Sequence, residues 1–154
     1  MKTKLLALFA ACALLLAGTA SAQEKKIKRS ELPPAVEKTV AAQSEGATIR
    51  GFSEETERGQ TLYEAEMTVN GHSMDVLIAA DGTVVEVEEQ VLFDSLPAEV
   101  KAGLRAKAGQ GKILKVETIT KKGKLVAYEA KVETNGKKSE AQVGPDGKPL
   151  DHEE

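Results

Sequence analysis

The chain has 154 residues, a formal net charge of −3, 3% aromatic residues, no tryptophan and a single cysteine. That length fits one compact domain, and one cysteine leaves no internal disulfide, so stability has to come from packing. The acidic balance argues against general nucleic-acid binding, which needs a basic footprint.

The first segment reads as an export leader. Lys2 and Lys4 precede the apolar run "LLALFAACALLLA" at 5–17, and "ASA" at 20–22 supplies small residues for cleavage. The run is short for a membrane span. Cleavage after Ala22 is expected, giving a soluble, periplasmic or secreted chain of 132 residues from Gln23. Two basic residues and no acid leave with the leader, so 19 basic residues face 24 acids and the net charge becomes −5. Cys12 is read as apolar filler rather than a lipid anchor. The position three before it is Phe9 instead of leucine, and the apolar run continues past it. Charge is uneven: residues 23–89 hold 7 basic and 14 acidic residues, residues 90–154 hold 12 and 10.

Next comes a helix, with Ser30 as N-cap and Pro33-Pro34 in its first turn, running to about Ser44 with Val36, Val40 and Ala41 as its apolar stripe. Gly46 is its stop. Residues 47–56 read as a strand whose apolar positions do not alternate cleanly, so a bulge is expected. The next strand turns Tyr63, Ala65, Met67 and Val69 one way and Glu64, Glu66 and Thr68 the other. Asn70-Gly71 is a hairpin signal. A third strand follows with Met74, Val76 and Ile78 inward, then Asp81-Gly82 and a short fourth strand, "TVVEVEE". The segment "EEQVLFDSLP" is too apolar for a free linker, and Val91, Leu92 and Phe93 are expected to form a buried bridge.

The pattern then repeats. "VNGHSMDVLIAADGTVV" at 69–85 matches "TNGKKSEAQVGPDGKPL" at 134–150, "LYEAEMTV" from 62 matches "AYEAKVET" from 127, and "LPPAVEKTV" from 32 matches "LPAEVKAGL" from 96. In this second copy Asp94 is the N-cap, Pro97 starts the helix, Val100, Leu104 and Ala108 form its stripe, and Gly109 ends it. Residues 112–121 form a strand. Val126, Tyr128, Ala130 and Val132 point inward, then Ser139, Ala141 and Val143. Pro149 and "LDHEE" make the last strand short and edge-like. The expected fold class is α+β: a tandem duplication of a helix followed by a three- to four-stranded antiparallel meander, with the helices on one face of the sheet. The domain reading is a leader at 1–22 and repeats at 23–89 and 90–154, packed as one body because one such unit is too small for a core.

A leader followed by two copies of helix, "YEA", "NG" and "DG" resembles the PepSY-like periplasmic domains, and the tandem form is similar to the β-lactamase-inhibitor-protein fold. The resemblance implies exported, non-catalytic domains that bind or restrain other proteins, often peptidases. The sequence departs from a strong inhibitor in lacking tryptophan and in turning both tyrosines toward the core, since interface hot spots favour Trp, Tyr and Arg.

Catalytic parts are few. His72 follows a turn and His152 lies in the tail, so both read as solvated. "AGQGKIL" at 108–114 lacks the leading glycine and the Ser or Thr after lysine that a phosphate loop needs. Asp81 and Asp146 are turn residues, neither turn has the spaced acids of a calcium loop, and "DHEE" is a solvated tail. No enzyme activity, cofactor or metal centre is expected. What remains is the outward sheet face. In the first copy Glu64, Glu66, Asp75, Glu86 and Glu88 surround Leu77, and in the second Glu129, Lys131, Glu133, Lys138 and Glu140 are mixed in sign. Such charge also simply solubilises an open sheet. The expected function is a non-catalytic exported protein-binding module that regulates or inhibits another envelope or secreted protein, such as a peptidase, through the Leu77 face. The alternative is an envelope protein that binds a small ligand or metal ion without catalysis.

Overall fold

The computed structural model describes residues 24–57, 59–152 and 154. The leader expected at 1–22, with Cys12 and the cleavage point, lies outside them. The described residues form eight strands: β1 (Lys25–Ile27), β2 (Thr48–Glu57), β3 (Gln60–Val69), β4 (His72–Ala79), β5 (Val84–Val91), β6 (Lys112–Lys121), β7 (Lys124–Thr134) and β8 (Lys137–Val143). Helix α1 (Pro34–Gln43) lies between β1 and β2, and α2 (Ala98–Ala108) between β5 and β6.

The turns follow from side-chain chemistry. Asn70 and Gly71 have φ of 50° and 85°, and Asn135 and Gly136 have 53° and 76°. Positive φ at both central residues matches the right-handed twist of the flanking strands. At the Asp-Gly turns the glycine serves packing as well. A Cβ on Gly82 would lie 2.7 Å from the Ala35 carbonyl oxygen of α1, and one on Gly147 would lie 2.2 Å from that of Glu99 in α2. Each helix is therefore seated against a turn that only glycine can make. Bulges interrupt β2 between Ile49 and Gly51 and β6 between Ile113 and Lys115.

The tandem helix-and-meander fold class is corrected by the sheet. All eight strands form one antiparallel sheet in sequential order. Strand β5 pairs with β6 from Glu86↔Lys121 to Val91↔Val116, so no boundary divides the strands into two meanders. Strands dominate the molecule, and the two helices are short. The local pattern revealed hairpins, but pairing across a long connection leaves no periodic trace in sequence. Strand β1, which pairs with β2, was also not expected, and no strand follows β8 among the described residues.

Two apolar clusters lie beneath the helices. Val36 and Val40 of α1 pack with Phe52, Ala65, Met67, Val76 and Ile78. Val100 and Leu104 of α2 pack with Val116, Ala130, Val132, Ala141 and Val143. Val87 joins the first cluster and Val91 the second, so alternate residues of β5 serve both. Several local expectations change. Pro33 and Pro97, not Ser30 and Asp94, stand at the helix N-caps, because Ser30 and Asp94 are taken into short 3-10 turns. Ala41 is exposed. The apolar bridge is only half made: Val91 and Phe93 are half-buried, whereas Leu92 is 63% exposed. Sheet hydrogen bonds between β5 and β6 join the two halves there, with Val91 and Phe93 packed against the second cluster.

Candidate functional site

Strand alternation turns every second residue of β3 to β8 away from the helices. The register then decides which of these meet. Glu64 lies opposite Leu77, and Leu77 opposite Glu86. Glu66 lies opposite Asp75, and Asp75 opposite Glu88. All six residues expected for the outward face of the first half are thus brought into one patch on three adjacent strands. Five of them, with Glu55 in place of Glu66, line a depression of about 140 Å³.

The patch is less wet than expected. The Asp75 side chain is 18% exposed and that of Glu86 is 16% exposed. Long side chains on neighbouring strands shade each other. Some acids have partners. Arg50 donates to Asp75 Oδ1 at 3.0 Å, Lys26 pairs with Glu66, Ser53 Oγ donates to Glu64 Oε2 at 2.7 Å, and Lys121 lies 3.3 Å from Glu86. Glu88 has no hydrogen-bond or ion-pair partner among the described residues. Burial, reinforced by Glu129 and Glu117, pushes the Glu88 carboxyl up to about 8. Burial also raises Glu64, against the pull of Ser53, and raises Asp75 in spite of Arg50.

Further along the same face lie groups that the sequence pattern did not connect to the patch. Glu117 of β6 is 1% exposed. Lys115 Nζ is 2.6 Å from its Oε1, while its Oε2 has no hydrogen-bond partner. On β7, Glu129 is buried but held, with Lys131 Nζ 2.5 Å from Oε1 and Gln142 Nε2 donating to Oε2 at 2.8 Å. Burial works against the Lys131 ammonium, yet Glu129 and Glu140 outweigh it and hold its pKa above the usual range. Alternation does mark Glu117 as facing outward, next to inward Val116. Its nearness to Asp75 depends on the β5–β6 pairing, which the sequence pattern does not show.

A second depression, of about 560 Å³, sits at the β5–β6 junction. Its lining includes Leu92 and Leu114, the large apolar side chains left exposed among the described residues, and Phe93, whose ring lies 4.9 Å from the Arg105 guanidinium carbon. No helix among the described residues is long and apolar enough to cross a membrane.

No family model and no curated protein matches the sequence. Solved structures do match. A protein from Bacteroides eggerthii described as periplasmic superposes with a TM-score of 0.61 at 18% identity, over 76% of this chain and 84% of that one. A DUF2874 family protein from Bacteroides uniformis gives 0.59 at 17%, over 75% and 84%. A BLIP-like protein from Bacteroides fragilis gives 0.54 at 18%, over 75% and 81%. At these identities the likeness is one of fold: the chain has a BLIP-like architecture of the kind seen in these Bacteroides proteins.

Proposed function

We propose that this chain is a non-catalytic module, exported to the periplasm or beyond, that binds another exported protein through the Leu77 face and regulates or inhibits it. The leader sequence and the fold likeness to proteins described as periplasmic and BLIP-like support the setting. The observation that supports the site most directly is the register that gathers Glu64, Glu66, Asp75, Glu86 and Glu88 around Leu77. The partner that fits is basic, with an apolar side chain to set against Leu77. Acids at the rim speed encounter, and the apolar centre slows release. Two repeats, 23–89 and 90–154, acting as one body would place this acidic face in the first repeat only.

The test uses the exported chain as bait, with captured proteins identified by mass spectrometry and then purified. Association is measured at low and moderate salt against wild type and the Glu64→Lys, Glu66→Lys double variant. The expected result is an association rate about tenfold slower at low salt and a flattened salt dependence. Unchanged affinity and salt dependence in the double variant would refute the docking face.

A further inference from the structure

Asp75 and Glu88 face each other across β4 and β5, and Glu117 arrives from β6 beside Gln90. One carboxylate oxygen from each lies within 4.8 Å of the others. Acids gathered on a sheet do not by themselves make a site. Here Glu117 adds a separate observation: it is 1% exposed, Lys115 and Ser73 engage only its Oε1, and its Oε2 is buried without a hydrogen-bond partner. A buried acceptor with no donor is costly, and a cation supplies what is missing.

We propose that Asp75, Glu88 and Glu117 form a site for a divalent cation, and that Ca²⁺ is the ion that fits. The donors are all hard carboxylate oxygens. Ca²⁺ holds its oxygen ligands at about 2.3–2.6 Å, so two ligands on one ion stand at most about 5 Å apart, which suits this cluster. Mg²⁺ demands about 2.0–2.1 Å and near-ideal octahedral geometry, and it sheds water reluctantly. Arg50 on Asp75 and Lys115 on Glu117 act as the outer shell that orients ligating carboxylates. Glu88 has no hydrogen-bond or ion-pair partner among the described residues for an ion to displace.

The charged groups facing Glu88 are Asp75 from β4, Glu86 on its own strand, Glu117 from β6, and Glu129 and Lys131 from β7, so acids outnumber bases around the cluster. This inference needs no protein partner and does not rest on the docking face: Glu64 and Glu66 test docking, whereas Glu117 tests the ion.

The experiment strips the exported chain with EDTA and titrates it with CaCl₂ at pH 8 by calorimetry, alongside thermal unfolding. MgCl₂, and NaCl matched for ionic strength, serve as controls. A saturable Ca²⁺ heat with one ion per chain and a matching rise in Tm are expected. Glu88→Gln and Asp75→Asn should each weaken binding about tenfold or more. Glu117→Gln should do the same, with its fold checked by circular dichroism; the other two variants keep the test decisive if it does not fold. Three results would overturn the proposal. One is no saturable heat well above the about 0.1–1 mM range of extracellular calcium modules. Another is an equal Tm rise in matched NaCl or in MgCl₂. The third is wild-type affinity in both Glu88→Gln and Asp75→Asn.

Discussion

At Glu129 of β7 and at Glu88 of β5, one face of the sheet treats a carboxylate removed from water in opposite ways. Glu129 is deeper than Asp75 or Glu86, yet it has counter-groups: Gln142 donates to Oε2, and the Lys131 ammonium, itself shared with Glu140 at 2.6 Å, lies 2.5 Å from Oε1 as an ion pair although Oε1 accepts no hydrogen bond. Glu88 is shallower but has no hydrogen-bond or ion-pair partner among the described residues, and burial and the acids around it outweigh the more distant pull of Lys131. The difference separates structural charge from available charge. Burial alone does not mark a binding face; burial without a counter-group does, because only there can a ligand recover what folding left unmet.

The sharpest way to break the contrast is to convert the paired region into the unpaired kind. Lys131→Ala leaves Glu129 buried without its ammonium, and should destabilise the protein by about 3 kcal/mol in urea unfolding. A loss under about 0.5 kcal/mol would show that the β6–β8 pairing is as dispensable as an exposed ion pair. The converse change, Glu88→Gln, should stabilise by about 2 kcal/mol at pH 9. Its sign follows from the raised pKa. With an unfolded value near 4.5 and a folded value of about 8, the folded state holds the proton more tightly. Wild-type stability therefore falls as pH rises from about 4.5 to about 8, and the cost of burying the carboxylate is complete above that. In Glu88→Gln this part of the slope should vanish, as followed by Tm across pH 4 to 9. Gln142→Ala removes only the neutral donor from Glu129, and about 1–2 kcal/mol of stability should go with it. The smallest stability change, within about 0.5 kcal/mol, is expected for Leu77→Ala, which is half-buried on the open face. Its effect should appear instead as faster release of a captured partner, and a large loss of stability would reassign Leu77 to structure.

Much of this was legible in the sequence. The Asn-Gly turns, the strand at 112–121 and the bulges follow from residue-level rules, because turn geometry and alternation are local. The six residues of the Leu77 patch were legible for the same reason: each strand's period of two fixes which way its acids point, and tight turns fix how neighbouring strands align. The continuous sheet was not legible, nor was the place of Glu117. Both depend on β5 meeting β6 after a connection that includes α2. Partial burial of the patch was hidden too, since it comes from side chains such as Arg50, Lys115 and Lys131 reaching across strands. The proline N-caps were missed because Ser30 and Asp94 had a competing use in the 3-10 turns just before each helix.

The sequential strand order also sets the order in which the sheet can assemble. Five of its seven pairings close through connections of two to four residues, whereas β5 and β6 are separated by residues 92–111. Loop closure over about twenty residues costs about 2 kcal/mol more than over two. Hairpins should therefore form early on either side, with the β5–β6 seam among the slowest pairings to form. Asp75 and Glu88 lie on one side of that seam and Glu117 on the other, so an ion held by all three would act as a clasp across it, slowing its opening more than it speeds its closing.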